Sequence, residues 1–196
     1  TPFDDEDYAY LPYSTSTGLQ FNTGDDGTLS TLVNSGTIQG GVGVTVFTGT
    51  GGDAKITNSG SIVGTNGPGL VFVGAPDPTI VNSGLISGSA GIAVDFGATS
   101  PDNLILQTGG KFIGAVKFGT GTNTFDFSGY HGNMLFDYTG SDPTLVAGDH
   151  LHAQSGKTIA LVDDTFIRNA AQPLEDIVGA VNGGVGDLRV RGGEDG

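Results

Sequence analysis

Three copies of one phrase recur at a fixed pitch: Val33-Asn34-Ser35-Gly36-Thr37-Ile38, Thr57-Asn58-Ser59-Gly60-Ser61-Ile62 and Val81-Asn82-Ser83-Gly84-Leu85-Ile86. Their glycines lie 24 residues apart in both steps. Two weaker copies, Gln107-Thr108-Gly109 and Phe127-Ser128-Gly129, follow at steps of 25 and 20. A period of this size marks stacked structural units, none of which can bury its apolar face alone. Chains of this kind serve as surfaces more often than as catalysts.

Aligned on their glycines, the copies place Leu32, Ile56, Ile80, Ile105 and Phe125 four residues upstream, all apolar. Two residues downstream stand Ile38, Ile62 and Ile86, continued one place late by Phe112. A third apolar run closes each unit, as in Val42 to Phe47 and Leu70 to Val73. Runs this short and so often broken by glycine cannot be helices. Three strands per repeat at one pitch predict an all-β parallel β-helix, with coils stacked at about 4.8 Å over residues 31–162. Asn34, Asn58 and Asn82 form one column. An Asn at a corner can take the left-handed conformation and bond its own backbone, and stacked amides can bond each other, so an asparagine ladder is expected. Insertions leave the coil at Asn66 and Pro68, at Pro76, Asp77 and Pro78, and at Ser100 and Asp102. These loops are the expected binding positions, since solenoid loops carry contacts while stacked faces carry the scaffold.

Composition agrees. The 196 residues include 36 glycines and no cysteine or tryptophan. Glycine supplies positive φ at tight corners at little steric cost. Without cysteine there is neither a disulfide framework nor a thiolate site. The net charge is −14, of which residues 31–129 carry only −2, so the flanks hold the excess. The cluster Asp4-Asp5-Glu6-Asp7, in an acidic segment spanning 1–30, reads as a solvated terminus, with calcium or a cationic partner as the alternative. Seven Lys and Arg residues make no basic patch, so nucleic acid is not an expected partner. No apolar stretch reaches about 18 residues, so no membrane span is expected.

Beyond Gly129 the strands continue over Asn133–Tyr138, Pro143–Val146 and Lys157–Val162, as final coils and a cap. Within 163–196 the period changes. Leu174, Ile177, Val178 and Val181 fall on one helical face after Pro173, and Asn182-Gly183-Gly184 ends it, which predicts a short helix and a flexible tail. The Asn-Ser-Gly coils, then Gly119-Thr120-Gly121-Thr122-Asn123-Thr124-Phe125-Asp126-Phe127-Ser128-Gly129, then Thr158 to Phe166 leading into that helix, resemble the passenger domains of bacterial autotransporters (type V secretion) over roughly residues 30–182. The resemblance implies a right-handed parallel β-helix, secreted or displayed on a Gram-negative surface. It also implies an outer-membrane translocator barrel of about a dozen strands, expected outside this sequence.

Chemistry has few candidates. Polysaccharide-cleaving β-helices need carboxylates gathered on one face. Asp95, Asp126 and Asp137 are out of register with one another, and no nucleophile motif occurs. His150 and His152 share a strand face without an evident third metal ligand. No Gly-rich string matches a calcium nonad or a phosphate fingerprint. The expected function is binding without cofactor or metal: an adhesin or receptor ligand for a host surface protein, matrix or glycan. A carbohydrate-active enzyme and a structural stalk for a distal domain are the alternatives.

Overall fold

The computed structural model describes residues 16–23, 29–48, 52–74, 77–97 and 101–163. The acidic cluster at 4–7, Pro76, Ser100 and the helix expected over 173–181 lie outside them. The described residues form a parallel β-solenoid of about five turns.

Each turn is built from three segments, and like segments stack into sheets. One six-stranded parallel sheet runs β14 (Thr144–Val146), β12 (Thr124–Gly129), β10 (Asn103–Gln107), β8 (Thr79–Asn82), β5 (Asp53–Asn58) and β2 (Leu29–Asn34). A larger sheet stacks β1 (Thr17–Asn22), β4 (Val42–Phe47), β7 (Leu70–Val73), β9 (Leu85–Asp95), β11 (Lys111–Phe118) and β13 (Met134–Gly140). The short strands β3 (Thr37–Gly40) and β6 (Ser61–Gly64) bond into it through β9.

The register explains why the sequence repeats. Leu32, Ile56, Ile80, Leu104, Phe125 and Leu145 pair in succession across the six-stranded sheet. Val44, Leu70, Val94, Val116 and Tyr138 do the same in the larger sheet, and Ile38, Ile62, Ile86 and Phe112 along the short strands. These columns line the interior, where each fully buried Ile, Leu or Phe is worth about 1.5–3 kcal/mol against solvent exposure. Phe72, Phe96 and Phe118 stack ring on ring, with centroids 5.5 Å apart in each step.

The ladder corrects one sequence assignment: Leu104, not Ile105, holds the core position, and Ile105 pairs with Val81 on the outer side. The cause lies at the next corner. Gly110 N–H bonds to the Gln107 carbonyl at 2.9 Å, and Gly109 adopts φ +92°. This tight turn adds residues between strand and glycine, so counting back from Gly109 lands one place late.

Asn34, Asn58 and Asn82 form the amide ladder. Asn34 Nδ2 donates to Asn58 Oδ1 at 2.8 Å, and Asn58 Nδ2 donates to Asn82 Oδ1 at 2.9 Å. Each amide also bonds the backbone of its own corner and of the turn above. The left-handed conformation is not used, since no non-glycine residue among those described has positive φ. The side chain alone satisfies the corner, with Asn34 Oδ1 accepting from Gly36 N–H at 3.2 Å. Leu106 takes the next rung above Asn82 and ends the polar column.

The far end is closed by a change of direction. β16 (Thr158–Val162) runs antiparallel to β13 and forms a hairpin with β15 (Leu151–Ser155). Gly156 (φ +57°) and Lys157 make its two-residue turn, with positive φ at the position that favours glycine. An antiparallel hairpin offers no seat for another parallel coil, so it caps the larger sheet.

Candidate functional site

Alternation sends every second residue of the six-stranded sheet outward. The result is an outer face ruled by two columns. One reads Thr31, Lys55, Thr79, Asn103, Thr124, Thr144 and the other Val33, Thr57, Val81, Ile105, Asp126, Val146. Hydroxyls and methyls alternate across it, and Lys55 and Asp126 are the only charges within the two columns. Val33 is 69% exposed and Val146 40%. Val81 and Ile105 between them are half-buried, and Thr57 and Asp126 interrupt the apolar run, so the column mixes apolar and polar side chains. Part of its signal was in the sequence, because a two-residue period puts Thr31, Val33, Thr79 and Val81 on one side.

The corner residues divide. Asn66 and Asp77 are exposed, as a contact loop requires. Pro68 is buried, and its carbonyl accepts from Gly43 N–H at 3.2 Å. Pro78 is buried as well, its carbonyl accepting from Asn103 N–H at 3.0 Å. These two prolines belong to the stack rather than to free loops, because their carbonyls continue the ladder of the neighbouring turn.

Asp102 also lies inside. It is fully buried, and its Oδ2 accepts from Gly119 N–H at 2.7 Å. Asn123, likewise buried, accepts from Asp102 N–H through Oδ1 and donates to the Gly119 carbonyl through Nδ2. Its role is to join two successive turns where the repeat loses its Asn-Ser-Gly phrase.

The carboxylates weighed for catalysis stand apart. Asp95 pairs in register with Lys117, whose Nζ lies 3.1 Å from Oδ2, while Oδ1 accepts from Gly97 N–H. Asp126 Oδ1 accepts from both the backbone and the hydroxyl of Ser128. Asp137 Oδ1 accepts from the Thr158 hydroxyl at 2.6 Å. The three carboxylates lie on three different strands, β9, β12 and β13, and each is engaged by its own structural neighbour. His150 and His131 meet edge to face at 5.3 Å, while His150 Nε2 sits 2.9 Å from the Ser128 carbonyl. Among the described residues, no group of three or more His, Cys, Asp or Glu is placed to hold a metal.

The cap carries a denser polar cluster. Tyr138 donates its hydroxyl to Asp142 Oδ1 at 2.7 Å and accepts from Gln154 Nε2 at 2.6 Å. Lys157 Nζ bonds Asp142 Oδ1 at 2.7 Å and lies over the Tyr138 ring, 5.1 Å from its centre. Burial first, then the Asp142 hydrogen bond and charge, push Tyr138 up to about 12, against a smaller opposing effect of Gln154. The Asp142 carboxyl is held below its ordinary range, chiefly by the hydrogen bond from Lys157 and then by that from Tyr138. The phenol is held as a hydrogen-bonded clamp between Asp142 and Gln154.

No protein-family model, curated protein or solved structure matches the chain. Among the described residues, no helix is long and apolar enough to cross a membrane.

Proposed function

We propose that this chain is the β-helical part of an autotransporter passenger, secreted from or displayed on a Gram-negative surface, and that it acts as a binding module. The observation that carries the reading is the ruled outer face of the six-stranded sheet, a rigid, sparsely charged array that repeats the same side chains in register. Such an array engages an extended partner through many weak contacts in parallel, which multiply into avidity. The partner class is a host surface protein, a matrix component or a glycan, with exposed Asp77 two residues ahead of β8 beside the face. Engagement of Asp95, Asp126 and Asp137 by separate structural partners favours binding over hydrolysis as the chain's work.

The test is adhesion of the purified protein to immobilised collagen, laminin, fibronectin and a glycan array. Binding in the micromolar range is expected, weakened at least about tenfold by Val33→Lys with Val81→Lys and unchanged by Asp95→Asn with Asp137→Asn. Lack of binding to any surface would favour a structural stalk. Glycan turnover lost in the carboxylate variants would favour an enzyme.

A further inference from the structure

The last coils and the cap meet at a pair of histidines. His131 stands in the corner between β12 and β13, and His150 immediately precedes β15. Their ring centres lie 5.3 Å apart, with the ring planes inclined at 75°. Backbone turns bring both side chains there. Tyr130 N–H closes on the Phe127 carbonyl at 3.0 Å, and His131 N–H donates to Thr108 Oγ1 at 3.1 Å. His150 N–H closes on the Ala147 carbonyl at 3.1 Å, over a Gly148 with φ +57°. A Cβ on Gly148 would stand 3.1 Å from the Ser128 side chain, so this corner packs directly against β12.

One hydrogen bond orients the His150 ring. Its Nε2 lies 2.9 Å from the Ser128 carbonyl, an atom that can only accept. Nε2 therefore carries the proton, and in the neutral ring the lone pair sits on Nδ1. A ring N–H tied to a backbone carbonyl is how proteins orient a metal-binding histidine and set its tautomer. His131 is exposed, and its ring meets that of His150.

The separation is the one that a shared cation requires. Two ring nitrogens bonded at about 2.1 Å to one tetrahedral ion, each about 1.1 Å from its own ring centre, put those centres roughly 5.3 Å apart. The protein's third histidine is engaged elsewhere. The His152 ring meets Phe127 edge to face at 5.4 Å, and its Nδ1 lies 3.4 Å from the His150 carbonyl.

We infer that His131 and His150 form a two-histidine site for a divalent cation of the zinc, copper or nickel class, held by His150 Nδ1 and a ring nitrogen of His131. Two protein ligands fall short of a closed structural site, so water fills the remaining positions. Imidazole nitrogens select these ions over calcium and magnesium, which take oxygen ligands. One bond from each corner pins the segment leading into the cap hairpin to the last coils, at the end where an open stack most needs closing.

Titration calorimetry of the untagged protein with zinc chloride tests this, in excess magnesium to mask carboxylate sites. One ion per chain should bind with a Kd on the order of 10 μM. His131→Ala and His150→Ala should each weaken binding at least about tenfold, while His152→Ala should stay within about twofold of the parent. Zinc should raise the thermal unfolding temperature of the parent and leave that of His131→Ala unmoved. His131→Ala removes only an exposed ring, so it tests the site without disturbing the fold. In nitrogen-15 spectra, zinc should shift the ring nitrogens of His131 and His150 and spare those of His152. No zinc binding by the parent, binding that His131→Ala leaves intact, or zinc shifts centred on His152 would overturn the proposal.

Discussion

The Gly36 carbonyl occupies the place where a side chain on Gly60 would stand, and it accepts the Ser61 N–H at 2.8 Å. One atom thus fixes a glycine in the next turn and joins the two coils. The same relationship recurs between Gly60 and Gly84, and it ties the repeating phrase to stacking rather than to backbone conformation.

Gly60→Ala and Gly84→Ala should each destabilise the protein by about 1–3 kcal/mol, as forced overpacking against backbone does. Gly36→Ala should stay within about 0.5 kcal/mol of the parent. Urea unfolding of the three single variants checks this, and three equal losses would contradict it.

Asn58 serves two neighbours at once, so its removal should cost more than that of Asn34. Asn58→Ala removes both the bond from Asn34 Nδ2 and the bond to Asn82 Oδ1, at about 0.5–1.5 kcal/mol for each hydrogen bond lost. Asn34→Ala removes a single rung. Denaturation midpoints for both variants measure the difference.

Phe96 lies between Phe72 and Phe118, fully buried. Phe96→Ala should cost about 3–5 kcal/mol, and Phe96→Leu markedly less, because the cavity is smaller. The aromatic stack should show in the near-ultraviolet circular dichroism, with the signal falling in both variants.

The cap clamp sets two pH limits. Asp142 has a folded pKa below its unfolded value, so its contribution is complete above about pH 4 and is lost as the pH falls below that. Tyr138 behaves in the opposite sense. Its folded value is raised from 10.0 to about 12, so its contribution is complete below pH 10 and is lost as the pH rises toward 12. Tyr138→Phe should lower stability at neutral pH and flatten both limbs of a plot of urea midpoint against pH. An unchanged alkaline limb would contradict the assignment.

The stack was legible because stacking demands like residues at one pitch, and Asn34, Asn58 and Asn82 declare it. Ile105 was misplaced because the turn from Gln107 to Gly110 lengthens the corner, and a count from glycine cannot see length added on its near side. Pro68 and Asp102 were read as exposed loop residues, since proline and aspartate usually mark loops. Their burial depends on carbonyl and carboxylate bonds to the next turn, which local sequence does not encode. The antiparallel cap was equally hidden, because strand direction is decided by the Gly156 and Lys157 turn and by pairing with β13, not by the composition of Thr158 to Val162.

The most direct test of the stacked register uses spin labels at Thr31 and Thr144, two exposed positions in one outer column. Five inter-strand steps of about 4.8 Å separate them, so double electron–electron resonance should give a narrow distance distribution centred at roughly 24 Å between backbones, after allowance for label length. A broad distribution, or a narrow one beyond roughly 35 Å, would contradict a continuous ladder of six parallel strands.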